Sequence, residues 1–222
     1  GVVINDGSTD VDFRVESNGN ANMLFVDGGN DKVGIGTSAF VDTSKVQIEG
    51  AKALTSGILQ GQLNISDSTA VATGAGGGIS FSGNYNGTSK TTFGSIEGSK
   101  DNGTSGHYGA SLVFKTRSNG GANAENMRID SSGNVGIGTS SPSDKLLVKG
   151  DAASISVESA DMQIALLGKR ASSGVGLDQG YLRLRNQGVT ANGAVIDSAG
   201  NSFFNGGNVG IGTASPSSYN SV

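Results

Sequence analysis

The chain has 222 residues, of which 35% are hydrophobic and 5% aromatic, with 38 glycines, two prolines and neither Cys nor Trp; that apolar share is below the roughly 45–50% usual for globular domains. A formal charge of −4 and a pI near 4.9 exclude the basic footprint that nucleic acid or an anionic membrane requires. No Cys and a single His exclude thiol chemistry and His-rich zinc or iron sites, and no apolar run reaches the roughly 18 residues a membrane span needs.

Abundant Gly, Ser and Asn favour turns over helices, so the expected class is all-β. Gly1 stands where an initiator Met would, and Val2, Val3 and Ile4 follow it directly, which suggests a piece of a longer polypeptide, or equally a processed mature end. Residues 1–32 read as the end of a preceding β module, with Asp12, Phe13, Arg14, Val15 and Glu16 alternating as a half-buried strand does. Asn5, Asp6, Gly7, Ser8, Thr9, Asp10 and Asp12 crowd oxygen ligands into one loop. That composition suits Ca²⁺ or an Asx-rich turn equally, and its spacing matches no EF-hand.

Residues 33–50 open with Val33, Gly34, Ile35, Gly36 and Thr37 and end in Lys45, Val46, Gln47, Ile48, Glu49 and Gly50. A β module over 51–130 is expected to hold strands at Ile79–Ser82, Thr91–Ile96, Ser111–Thr116 and Asn126–Asp130, with glycine-rich loops at Thr73–Gly78 and Gly98–Gly106. The Val-Gly-Ile-Gly-Thr stretch returns in 131–150 as Val135, Gly136, Ile137, Gly138 and Thr139, after Asp130-Ser-Ser-Gly-Asn134 and before Ser141-Pro-Ser143 and a Lys145–Gly150 run that matches Lys45–Gly50. A second module over 151–205 carries strands at Ser154–Glu158, Met162–Leu167, Tyr181–Arg185 and Ala194–Asp197; Ala160–Leu167 is the one run that also fits a helix. The third copy, Val209, Gly210, Ile211 and Gly212, falls in 206–222.

Unequal spacing of the three copies rules out a regular solenoid, so the repeat reads as a connector between modules. As a strand it puts Val135, Ile137 and Thr139 on one face and leaves the glycine face bare, which lets another backbone approach closely. The expectation is a trimer connector in which Val33, Gly34, Ile35, Gly36 and their counterparts in the later copies meet around an axis, with either the glycines or the β-branched residues inward. A phosphate loop is the rejected rival. Ser141 stands where the third glycine belongs, and no helix follows. No cofactor is implied.

Modules of 55–80 residues with few aromatics bury little surface alone. Small β-sandwich-like modules are therefore expected to gain burial, and closure of their sheet edges, by oligomerising. Composition does not distinguish three copies from two.

Catalysis has little to draw on. His107 lies between Gly106 and Tyr108 in a polar loop, and the carboxylates sit in turns or alternate with apolar residues as solvated faces do. Glycoside hydrolysis needs only two carboxylates, so a polysaccharide-cleaving spike stays an alternative, though such spikes usually use a long solenoid. The residues best suited to carbohydrate are Asn84, Tyr85 and Asn86 in one loop and His107 with Tyr108 in another, which pair a stacking face with hydrogen-bonding groups.

The stretch "MRIDSSGNVGIGTSSPSDKLLVKG" resembles the repeated connector of bacteriophage tail-fibre and tail-spike proteins, found upstream of a self-cleaving C-terminal chaperone domain, and the likeness extends over nearly the whole chain. The resemblance implies an elongated, intertwined homotrimeric fibre, extracellular on the virion, and from the residues themselves no enzymatic activity is expected. Its implied partners are further copies of itself, other virion tail or baseplate proteins, and a host cell-surface glycan or protein. The cleavage domain's serine nucleophile and lysine have no matching segment here. The same motif occurs in large bacterial surface proteins, which leaves an adhesin or filament as the other reading.

Overall fold

β-Branched and aromatic residues that alternate with small polar ones suit a pleated, half-buried surface. The computed structural model accordingly has strands and turns but no helix among its described residues, which are 12–41, 43–50, 63–151, 153–160, 163–169, 179–185 and 192–204. The chain divides into two compact units, Gly1–Ser66 and Asp67–Val222.

In the first unit β1 (Phe13–Ser17), β2 (Asn20–Asp27), β3 (Lys32–Ile35) and β4 (Val46–Ile48) lie side by side in sequence order. Its ladders are antiparallel except the last, β3 with β4, which is parallel. The second unit holds a six-stranded sheet of β5 (Gly78–Asn84), β6 (Lys90–Lys100), β7 (Ala110–Arg117), β8 (Asn123–Ile129), β9 (Val135–Ile137) and β10 (Leu146–Val148), again in sequence order with a parallel last pair. A five-stranded antiparallel sheet follows: β11 (Ser154–Glu158), β12 (Gln163–Lys169), β13 (Gly180–Arg185), β14 (Asn192–Asp197) and β15 (Phe203–Phe204).

The strands expected between the connectors form at the expected places, mostly longer than foreseen. β6 extends through Gly98 to Lys100, into what reads as a glycine-rich loop. The ambiguous Ala160–Leu167 run contributes β12, because Leu166 and Leu167 register against Arg183 and Leu182 of β13. The two-residue β15 is an addition.

The connector segments are built into the sheets. β3 and β9, the Val-Gly-Ile strands, are each flanked by the preceding hairpin strand and by the strand that follows the turn. The third copy lies outside the described residues. Buried hydrophobic residues are few: Val113 at 1% and Val195 at 2% exposure are the ones among the described residues.

Candidate assembly interface

Residues directly opposite in neighbouring strands point to the same face of a sheet. In the six-stranded sheet Ile79, Ile96, Phe114, Met127, Ile137 and Val148 stand opposite one another in turn, an apolar row that crosses every strand. Leu112, Ile129, Val135 and Leu146 form a second row on that face. Ile79, Leu112, Ile129, Ile137 and Leu146 are exposed, and so is Phe81, at 54%, opposite Gly94 on the same side.

The reverse face is polar and better covered. One row runs Ser80, Ser95, Lys115 and Glu125, and Ser95 and Ser111 are buried there beside Val113. Lys115 Nζ donates to Glu97 Oε2 at 2.5 Å. That bond, with a second from Ser95, holds the Glu97 carboxyl below its ordinary pKa. Arg128 grips Glu125 through two nitrogens, each 2.6 Å from a carboxylate oxygen. The pairing raises the guanidinium pKa against the opposing effect of partial burial.

The other two sheets repeat the pattern. In the five-stranded sheet Ile155, Leu167, Leu182 and Ile196 form one row, and Val157, Ala165, Leu184, Ala194 and Phe204 the next. Every large hydrophobic residue in those rows is exposed, Leu167 at 56%. In the first unit Phe13, Val26, Val33 and Val46 share a face with Ile35 and Ile48, and Val46 and Ile35 are exposed. Met23 and Phe203 are exposed hydrophobic residues on the other faces. A sheet with one apolar face ordinarily buries it against another layer, and large contiguous apolar patches are where proteins commonly meet partners.

The Val-Gly-Ile strand lies within this face, and its glycines have partners of their own. A Cβ at Gly136 would lie 2.6 Å from the Thr139 carbonyl oxygen and 3.5 Å from Pro142 Cβ. At Gly34 the same position meets the Thr37 carbonyl oxygen at 2.1 Å and the Phe40 ring at 3.4 Å. Gly36 and Gly138 take φ of 86° and 73°, the region that favours glycine, and pack on the Glu49 and Lys149 carbonyls. The backbone that the bare glycine face admits is therefore the chain's own: the Thr-Ser turn folds back over it. Of the two arrangements the sequence allows, glycines inward or β-branched residues inward, the first would place against other chains a face that the chain itself covers. Ile35 and Ile137, on the opposite face, remain open.

Matching hydrogen bonds close both repeats. Val33 N donates to Lys45 O at 2.8 Å and Val135 N to Lys145 O at 2.9 Å; Glu49 N and Lys149 N donate to Ile35 O and Ile137 O, both at 2.9 Å. The Thr37 and Thr139 hydroxyls accept from the Ala39 and Ser141 amides. Lys45 and Lys145 reach back to the Asn30 and Ser132 carbonyls. Before β9, Asp130 accepts from the amides of Ser132 and Asn134, and these bonds, Asn134's first, lower its pKa.

The loops expected to contact carbohydrate lie at opposite ends of β6. Asn84 ends β5; Tyr85 is exposed in the β5–β6 turn, where the Asn86 side chain accepts from the Ser89 amide at 2.8 Å. His107 and Tyr108 follow the far end of β6, where Tyr108 is 97% exposed and His107 Nδ1 accepts from the Gly109 amide at 3.2 Å. Eleven residues of strand separate these ends, about 35 Å at the usual rise, so they form no single site. Of the acidic loop before β1, Asp12 alone is described, and its carboxylate accepts from the Gly28 amide. Among the described residues no group of three His, Asp or Glu is placed to hold a metal, and no helix is long and apolar enough to cross a membrane.

No family model and no curated protein matches the chain.

Proposed function

We propose that this chain is a structural segment of a homotrimeric bacteriophage tail fibre or related virion appendage. It serves host-surface attachment from the extracellular face of the particle and carries out no catalysis. The observation that carries the reading is the placement of exposed large hydrophobic residues along one face of each sheet, which leaves a second layer to be supplied by other copies of the chain. Apolar faces meeting between copies give the sandwich-like layering that the sequence leads one to expect, with Ile35 and Ile137 at the contact. The count of three rests on the resemblance of the repeated motif. Rigid display follows, and many weak contacts to a host surface are multiplied by avidity.

Native mass by light scattering, with mobility on an unboiled detergent gel, tests the reading. A trimer is expected; a folded monomer overturns it.

A further inference from the structure

Where the β5–β6 and β7–β8 turns come together, a cleft of about 460 Å³ opens between Tyr85, Lys90 and Phe93 on one side and Arg117, Ser118 and Asn119 on the other. Its volume falls in the range of small-ligand sites, about 300–1,000 Å³. Two features separate it from an ordinary turn crevice. No acidic residue lines it although the chain as a whole is acidic, and neither Lys90 nor Arg117 has a carboxylate partner among the described residues. Arg117 is also held in place: its Nε donates to the Gly121 carbonyl at 2.6 Å and one terminal nitrogen to the Thr91 hydroxyl. Its Nη2 makes no hydrogen bond among the described residues.

The aromatic pair supplies the rest. Tyr85 and Phe93 are both exposed, and Phe93 lies against Gly83, where an added Cβ would meet its ring at 2.6 Å. The missing side chain at position 83 is thus what seats the ring. Exposed aromatic faces stack on the C–H faces of a pyranose, guanidinium and ammonium groups pair with carboxylate, and the Asn119 amide and Ser118 hydroxyl suit sugar hydroxyls.

We propose that this cleft binds an acidic saccharide, one carrying uronic acid carboxylates, through Arg117 and Lys90 with Tyr85 and Phe93 as the stacking platform. The proposal rests on the host-attachment part of the function above and is independent of the number of copies.

The test is saturation-transfer NMR and calorimetric titration of the intact chain with trigalacturonate, with maltotriose and inorganic phosphate as comparison probes. Native mass is recorded on the same sample. Trigalacturonate is expected to bind with Kd of about 1 mM or tighter, maltotriose at least about tenfold more weakly, and added salt to weaken binding. Tyr85→Ala and Arg117→Gln should each cost about tenfold in affinity, equivalent to about 1.4 kcal/mol. Lys90→Gln serves as the charge variant if loss of the Gly121 and Thr91 bonds unfolds the Arg117 variant. Equal binding of maltotriose, full competition by phosphate, or unchanged affinity in the Tyr85 and charge variants overturns the proposal. A trimer that binds no trigalacturonate overturns the cleft alone; a monomer that binds it overturns the fibre reading alone.

Discussion

The Thr139 carbonyl oxygen occupies the place that a side chain at Gly136 would need, 2.6 Å from where its Cβ would sit. The same relation joins Thr37 to Gly34. Glycine at these positions is a packing requirement within one chain.

Gly136→Ala should therefore destabilise the fold by about 1–3 kcal/mol, the usual cost of overpacking, read as a lowered urea midpoint. Gly133 is the control. Its φ is 75° but a Cβ there would have nothing within 4 Å, so Gly133→Ala should cost only the left-handed strain, about 1–2 kcal/mol. A Gly136→Ala variant with an unchanged urea midpoint would contradict the packing account.

Ile137→Lys and Leu182→Lys put a charge on the exposed apolar faces and should lower the native mass at a given concentration. Ser80→Lys lies on the reverse, polar face and should leave it unchanged. If all three variants keep the wild-type mass, the faces are not where copies meet.

Acid should weaken the fold. The Asp130 and Glu97 pKa values are lowered by hydrogen bonds. Their contributions are thus full above the ordinary carboxylate range and fall away as pH drops through that range to the folded values. Urea midpoints should decline between about pH 5 and pH 2, and Asp130→Asn should flatten part of that slope. A midpoint that rises on acidification would reverse the sign.

Glu97 and Lys115 should couple by about 1 kcal/mol in a double-mutant cycle of Glu97→Gln and Lys115→Met. Each side chain is about 30% exposed, so the coupling should shrink but persist in high salt. A coupling of zero would make the contact incidental.

Alternation was enough to locate most strands: Ser154–Glu158 and Tyr181–Arg185 are legible because apolar and polar residues trade places at each step. The same period does not name a strand's neighbours. The Lys145–Gly150 run is legible as a repeat of Lys45–Gly50, yet its parallel pairing with Val135–Ile137 depends on how residues 138–145 fold back, which a turn of Thr, Ser and Pro leaves open. Nor does alternation say which face meets water. Leu182 and Leu184 look like the buried side of a strand, whereas both are exposed in the chain alone. The cleft is hidden for a related reason. Tyr85 is legible as an exposed loop aromatic, but Phe93 and Arg117 join it only through the β6–β7 pairing and a bulge at Phe93.

Each described strand pairs with the strand next to it in sequence. A meander of this kind has low contact order, so its ladders close over short loops and form quickly. The search for distant partners within the chain is almost eliminated, so under the proposed assembly the slow step is the encounter between chains. Maturation should then be limited by local concentration, which favours copies made side by side on one message.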